Sequence, residues 1–98
     1  WLDIGTPAAL LKASRDSVFE MNKEFLSLPE STIAADAIVS GGSVIGRRSR
    51  IDSSTQVDGS IIGDGAVVGA GARLKNCFVA DGFEVPASVI AIDNYFGF

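Results

Sequence analysis

The sequence predicts an all-β architecture: a three-cornered coil of very short strands, led by one α-helix. Three observations predict it. Aliphatic residues recur every six positions from Ile33 onward, small residues trail them by four, and a helical pattern ends before Pro29. An apolar fraction of 47% in 98 residues also favours one folded unit over a disordered chain.

The helix comes first. Thr6 is a good N-cap, and Pro7 at the first helical position loses no bond that the helix would have made. Leu10, Leu11, Val18 and Met21 then fall at near-helical spacing, with Lys12, Arg15, Asp16 and Glu20 mostly on the other side. The spacing predicts a helix from about Pro7 to about Asn22, and Pro29 argues against its continuation.

After Ser31 the period changes. Ile33, Val39, Ile45, Ile51 and Val57 stand at six-residue intervals, and a small side chain follows the first four at Ala37, Ser43, Ser49 and Thr55. A five-residue step leads to Ile62, Val68 and Leu74, with Ala66 and Ala72 in the small slot; another leads to Val79 and Val85. Neither a helix nor an alternating strand has a period of six, whereas a chain that turns a corner every six residues does. The aliphatic residue points inward and the small one sits at a crowded corner. Gly46, Gly63 and Gly69 stand beside aliphatic positions, where the turn is expected to need a backbone state that other residues reach only at a cost. Stacked at about 4.8 Å, faces of six residues give coils of about eighteen, or roughly three and a half coils after residue 33.

This pattern resembles the hexapeptide-repeat left-handed parallel β-helix. The left hand is what that resemblance implies, against the usual right-handed crossover. The lead-in "WLDIGTP" resembles the Trp-x-Asp-x-Gly-Thr stretch that closes the sugar-nucleotide site of sugar-phosphate nucleotidyltransferases, many of which continue into a helix and a hexapeptide β-helix. Asp3-Ile4-Gly5-Thr6-Pro7 is most similar to the mannose-1-phosphate guanylyltransferase branch; enzymes of glucose 1-phosphate have similar words. The resemblance implies that residues 1–32 close a catalytic domain and supply a linking helix, and that residues 33–98 are the β-helix. It implies a parent enzyme joining a nucleoside triphosphate to a sugar 1-phosphate, with release of pyrophosphate. It also implies that Asp3 helps to hold Mg²⁺, a hard ion that takes carboxylate and phosphate oxygens. Read without the resemblance, Asp3 anchors the Gly5 turn. The glycine-rich nucleotide loop and the sugar-binding residues of that family have no match here, so the sequence is expected to start mid-protein and to carry no main active site.

Composition narrows the partners. The formal charge is −4 with no long basic run, which makes nucleic acid and anionic membranes poor partners. Cys77 is the single cysteine, which fits a reducing, cytoplasmic setting. Partners are expected to be the chain's own catalytic domain and further subunits in a homo-oligomer.

Other constellations yield to structural readings. Gly63, Gly65, Gly69 and Gly71 repeat the six-residue beat and lack the strand-to-helix setting of a dinucleotide loop, so they read as corner glycines. β-Helix acyltransferases resemble one another in using a histidine base, and this sequence has no His. Asp52, Asp58, Asp64 and Asp81 read as solvated or turn-bonding. Arg47, Arg48 and Arg50 read as a solvated corner, or as a contact for an acidic patch or a phosphate. Cys77 reads as a buried, inert thiol. Tyr95, Phe96 and Phe98 either cap the open end of the coil or dock against another domain or subunit. Two further readings stand beside the nucleotidyltransferase one: a structural or regulatory assembly module, and an acyltransferase.

Overall fold

The computed structural model describes the backbone of residues 7–21 and 24–97, and their side chains from Leu11 onward. Helix α1 spans Pro7–Glu20. The first coil is β1 (Phe25–Ser27), β2 (Thr32–Ile33) and β3 (Ile38–Ser40). The second is β4 (Ser43–Ile45), β5 (Arg50–Ile51) and β6 (Gln56–Asp58). The third is β7 (Ile61–Ile62), β8 (Val67–Val68) and β9 (Arg73–Lys75), and the fourth is β10 (Phe78–Val79), β11 (Glu84–Val85) and β12 (Ile90–Ile92). Strand β13 (Tyr95–Phe96) opens a fifth.

Equivalent strands stack into three faces. The first carries β1-β4-β7-β10-β13, the second β2-β5-β8-β11 and the third β3-β6-β9-β12, all paired in parallel. This is a parallel β-solenoid of about four turns, matching the left-handed β-helix with one preceding helix. The stack begins at β1, ahead of Ile33. The beat hides this, because Ser27 takes the slot that Ile45 holds one coil later.

The coil length is a correction to the sequence reading. Phe25 pairs with Ser43, a step of 43 − 25 = 18 residues. Val44 then pairs with Ile61, a step of 17, and Ile61 with Phe78, again 17. The missing residue is at the corner leading from the third face back to the first. Gly41 and Gly42 turn that corner in the first coil, while Gly59, Asn76 and Asp93 each turn it in later ones, all with positive φ. The five-residue steps in the aliphatic ladder are these shortened corners.

The ladder fills the interior. Val39, Ile45, Ile51, Val57, Ile62, Val68, Leu74, Val79 and Val85 are buried, and Ala91 extends the series. Ile33, in the end coil, is half-buried. Ser43, Ser49, Thr55, Ala66 and Ala72 occupy the small slots and are buried. Their hydroxyls are satisfied locally: Ser49 Oγ donates to the Gly46 carbonyl at 2.6 Å, and Thr55 Oγ1 to that of Asp52 at 2.9 Å. Closing the corner with an i−3 carbonyl removes the penalty for burying a hydroxyl.

Gly46, Gly63 and Gly69 are needed for a different reason from the one expected. None has positive φ. A Cβ on Gly46 would stand 2.6 Å from the Gly63 carbonyl carbon, and one on Gly63 would stand 2.6 Å from the Asp81 nitrogen. These glycines let one coil's backbone lie against the next.

Helix α1 buries Leu11 and Val18 against the solenoid near β4. Two expectations change here. Arg15, one turn from each, is half-buried on the same stripe, whereas Met21, just past the last helical residue, is half exposed. The expected Leu10 contact lies outside the described side chains.

Candidate functional site

The helix and the third-to-first corner enclose a polar cleft of about 350 Å³. Gly42 permits the approach, since a Cβ there would meet the Arg15 Cα at 3.0 Å. Arg15 reaches across the corner column. Its Nη1 donates to Asn76 Oδ1 and, at 3.4 Å, to the Gly59 carbonyl. Asn76 Nδ2 donates in turn to Asp93 Oδ1 at 2.6 Å. One helical side chain is thus tied to the corners of successive coils. Asp58 and Lys75 complete the lining, so cationic and anionic groups balance. The arrangement clamps the helix to the solenoid; its mixed charge gives no preference to an anion or a cation. The signal for it in the sequence was the 17-residue spacing of Gly59, Asn76 and Asp93, which the six-residue reading passed over.

Asp3, the expected metal ligand, lies outside the described residues. Asp64 and Asp81 bond turns. Asp64 Oδ1 accepts from the Arg47 N–H and Asp81 Oδ1 from the Asp64 N–H, both at 2.8 Å. Each carboxylate ties its own corner to the coil before it. Asp52 pairs with Arg50 at 2.7 Å, and Asp58 lies exposed at the cleft. Arg47 and Arg48 are exposed on their corner, where Arg48 holds a φ of 53°. Among the described residues no group of three His, Cys, Asp or Glu side chains converges on a metal position.

Cys77 is buried beneath the same corner column. Its position extends a polar ladder in steps of 17. The Ser60 N–H donates to Ser43 Oγ and the Cys77 N–H to Ser60 Oγ, both at 3.0 Å. The thiol faces the Lys75 carbonyl at 3.3 Å. Burial raises its pKa above the free value of 9.0, against opposing backbone hydrogen bonds. An aromatic disulfide reagent at neutral pH is therefore expected to label Cys77 slowly in the native chain and rapidly in denaturant; fast native labelling would contradict this burial. The stability follows in sign. A folded-state thiol with a raised pKa costs nothing below pH 9.0, and stability falls as pH rises above it, where the unfolded chain ionises more readily.

The tail resolves in part. Phe96 packs against the core and against Phe83, with ring centroids 5.9 Å apart, so it covers the last coil. Tyr95 faces outward at 41% exposure, and Phe98 lies outside the described residues. The third face carries a second, smaller recess of about 220 Å³ over Leu74 and Ala91, edged by Arg73, Lys75, Ile90 and Ile92. No helix is long and apolar enough to cross a membrane among the described residues.

Two comparisons bear on this geometry. A family model described as "GlmU-like, C-terminal hexapeptide" matches residues 14–94, a span that takes in Arg15, Asn76 and Asp93 of the clamp. No curated protein matches the chain.

Proposed function

Because the chain belongs to the GlmU-like C-terminal hexapeptide family, we propose that it is the C-terminal β-helix region of a sugar-1-phosphate nucleotidyltransferase. The observation that carries this reading is the family match over residues 14–94, preceded by the nucleotidyltransferase-like "WLDIGTP" at residues 1–7. The parent enzyme makes a nucleotide sugar and pyrophosphate from a nucleoside triphosphate and a sugar 1-phosphate. The words around Asp3 favour mannose 1-phosphate with GTP over glucose 1-phosphate. The β-helix itself serves assembly, by docking its own catalytic domain or further subunits, in a cytoplasmic setting.

Mg²⁺ meets this chain only at Asp3 in the proposal. The described residues add no carboxylate cluster that fits a hard cation, so no step through the metal falls to them. Acyl transfer by these 98 residues is disfavoured, since they hold no His and their one thiol is buried.

The test is pyrophosphate release by the protein that carries this chain at its C-terminus, supplied with Mg²⁺, GTP and mannose 1-phosphate. Activity is expected, and Asp3→Asn should lower it or its Mg²⁺ dependence by about 10–100-fold while the circular dichroism stays unchanged. Failure with every nucleoside triphosphate and sugar 1-phosphate pair would overturn the reading.

A further inference from the structure

Helix α1 is short. A helix of 14 residues is marginal on its own in water, so its order comes from what it packs on. Leu11 and Val18 supply buried apolar contact. Arg15, between them, supplies polar contact: its Nη1 donates to the Gly59 carbonyl of one corner and to Asn76 Oδ1 of the next. Polarity fixes the order of this chain of bonds. The Asp93 carboxylate only accepts, so Asn76 turns its NH₂ group towards it, at 2.6 Å. The amide oxygen is left for a guanidinium, which only donates. Asp93 therefore orients Asn76, and Asn76 holds Arg15. The solenoid corner closes without these bonds: Gly59 turns it with no side chain, and Asn76 and Asp93 share its left-handed backbone, at φ values of 56°, 53° and 56°. The bonds serve the helix. Pro7, its first residue, stands four positions after Asp3.

We propose that Arg15 is a positioning residue: held by Asn76 and Asp93, it keeps α1 docked and ordered, and so fixes the point from which residues 1–6 extend. Those residues carry the words that resemble the closing stretch of a sugar-nucleotide site. The inference deepens the nucleotidyltransferase reading above and rests on it. With the clamp broken, the helix spends part of its time undocked, and substrate binding must restore it. That cost falls on apparent affinity and leaves the chemical step as it was.

The test uses the protein that carries this chain at its C-terminus and takes two readouts. One is hydrogen exchange of the amides in residues 11–20; the other is steady-state kinetics with GTP fixed and mannose 1-phosphate varied. Asn76→Gly removes the clamp without straining the corner, because Gly59 already turns it one coil earlier. Arg15→Met removes the guanidinium and keeps an apolar stem. Each should speed exchange of the helix roughly tenfold while exchange of the solenoid strands stays as before. Each should raise KM for mannose 1-phosphate about threefold to tenfold at an unaltered kcat. The two together should do little more than either alone, since they break the same bonds. The paired change Asn76→Asp with Asp93→Asn keeps an acceptor for Arg15 and a donor behind it, so it should retain both native readouts. Helix exchange that ignores Asn76→Gly overturns the clamp. Faster exchange with KM unchanged, or with kcat lost instead, overturns the positioning role and leaves the clamp standing. A protein inactive with every sugar 1-phosphate overturns the nucleotidyltransferase reading and the positioning role with it, whereas the exchange rates still decide the clamp.

Discussion

Gly63→Ala is expected to destabilise the solenoid by about 3 kcal/mol, against about 1 kcal/mol for Gly65→Ala two residues away. The two glycines serve different needs. Gly65 turns its corner at a φ of 68° with nothing within 4 Å of an added Cβ. An alanine there bears only the cost of a left-handed backbone, which Arg48 already bears one coil earlier at 53°. Gly63 has an ordinary backbone, but an added Cβ would lie 2.6 Å from the Asp81 nitrogen and 2.8 Å from the Ala80 carbonyl carbon. Both are main-chain atoms, so relief requires one coil to move away from the next. Thermal unfolding followed by circular dichroism reads the difference. At about 4–8 °C per kcal/mol for a chain this size, the two melting temperatures should separate by roughly 10 °C. A larger loss at Gly65 would show that conformation, not close approach, governs these corners.

Ile62→Ala carries the second large effect. Ile62 is 1% exposed, stacked between Ile45 and Val79 in the inward column of the first face. Truncation leaves a cavity between coils whose backbones are pinned above and below, and the expected loss is about 2–5 kcal/mol. Domains of this size have only about 5–15 kcal/mol in all. Each coil touches only its neighbours, so the damage should propagate along the stack. Ile90→Ala is the control. With 72% exposure it should change the stability by no more than about 0.5 kcal/mol. Urea unfolding of both variants measures the contrast, and equal midpoints would place Ile62 outside the core.

The aliphatic ladder was legible because a solenoid writes its interior into one column per face. Nine of its ten expected positions are buried, and the small slots beside them follow the same logic. What escaped was set by relations between coils, which a linear pattern does not display. The close approach at Gly46 and Gly63 depends on what lies one coil away. The 17-residue step was visible as two irregular beats, but its cause, a corner turned by Gly59, Asn76 or Asp93 alone, needed the stacked strands. Ser27 hid the first row, since a polar residue fills an end position that the next coil gives to Ile45. Arg15 departs from the outer stripe, although charge usually marks the solvent side. Here its guanidinium is held by Asn76 Oδ1 and the Gly59 carbonyl, partners far away in sequence. The aspartates fared better: Asp64 and Asp81 bond turns, as their places at the corners suggested. Asp3, on which the catalytic reading depends, rests on resemblance alone.

The solenoid consists of coils that stack in parallel with a 17-residue step, and backbone nuclear Overhauser contacts measure that step most directly. Ile61 should show inter-strand contacts to both Val44 and Phe78, and Val67 to both Arg50 and Glu84. Only the first coil should depart from it, with Leu26 contacting Val44. Contacts confined to near neighbours in sequence, or antiparallel pairs joined by hairpins, would contradict the solenoid and every assignment built on it.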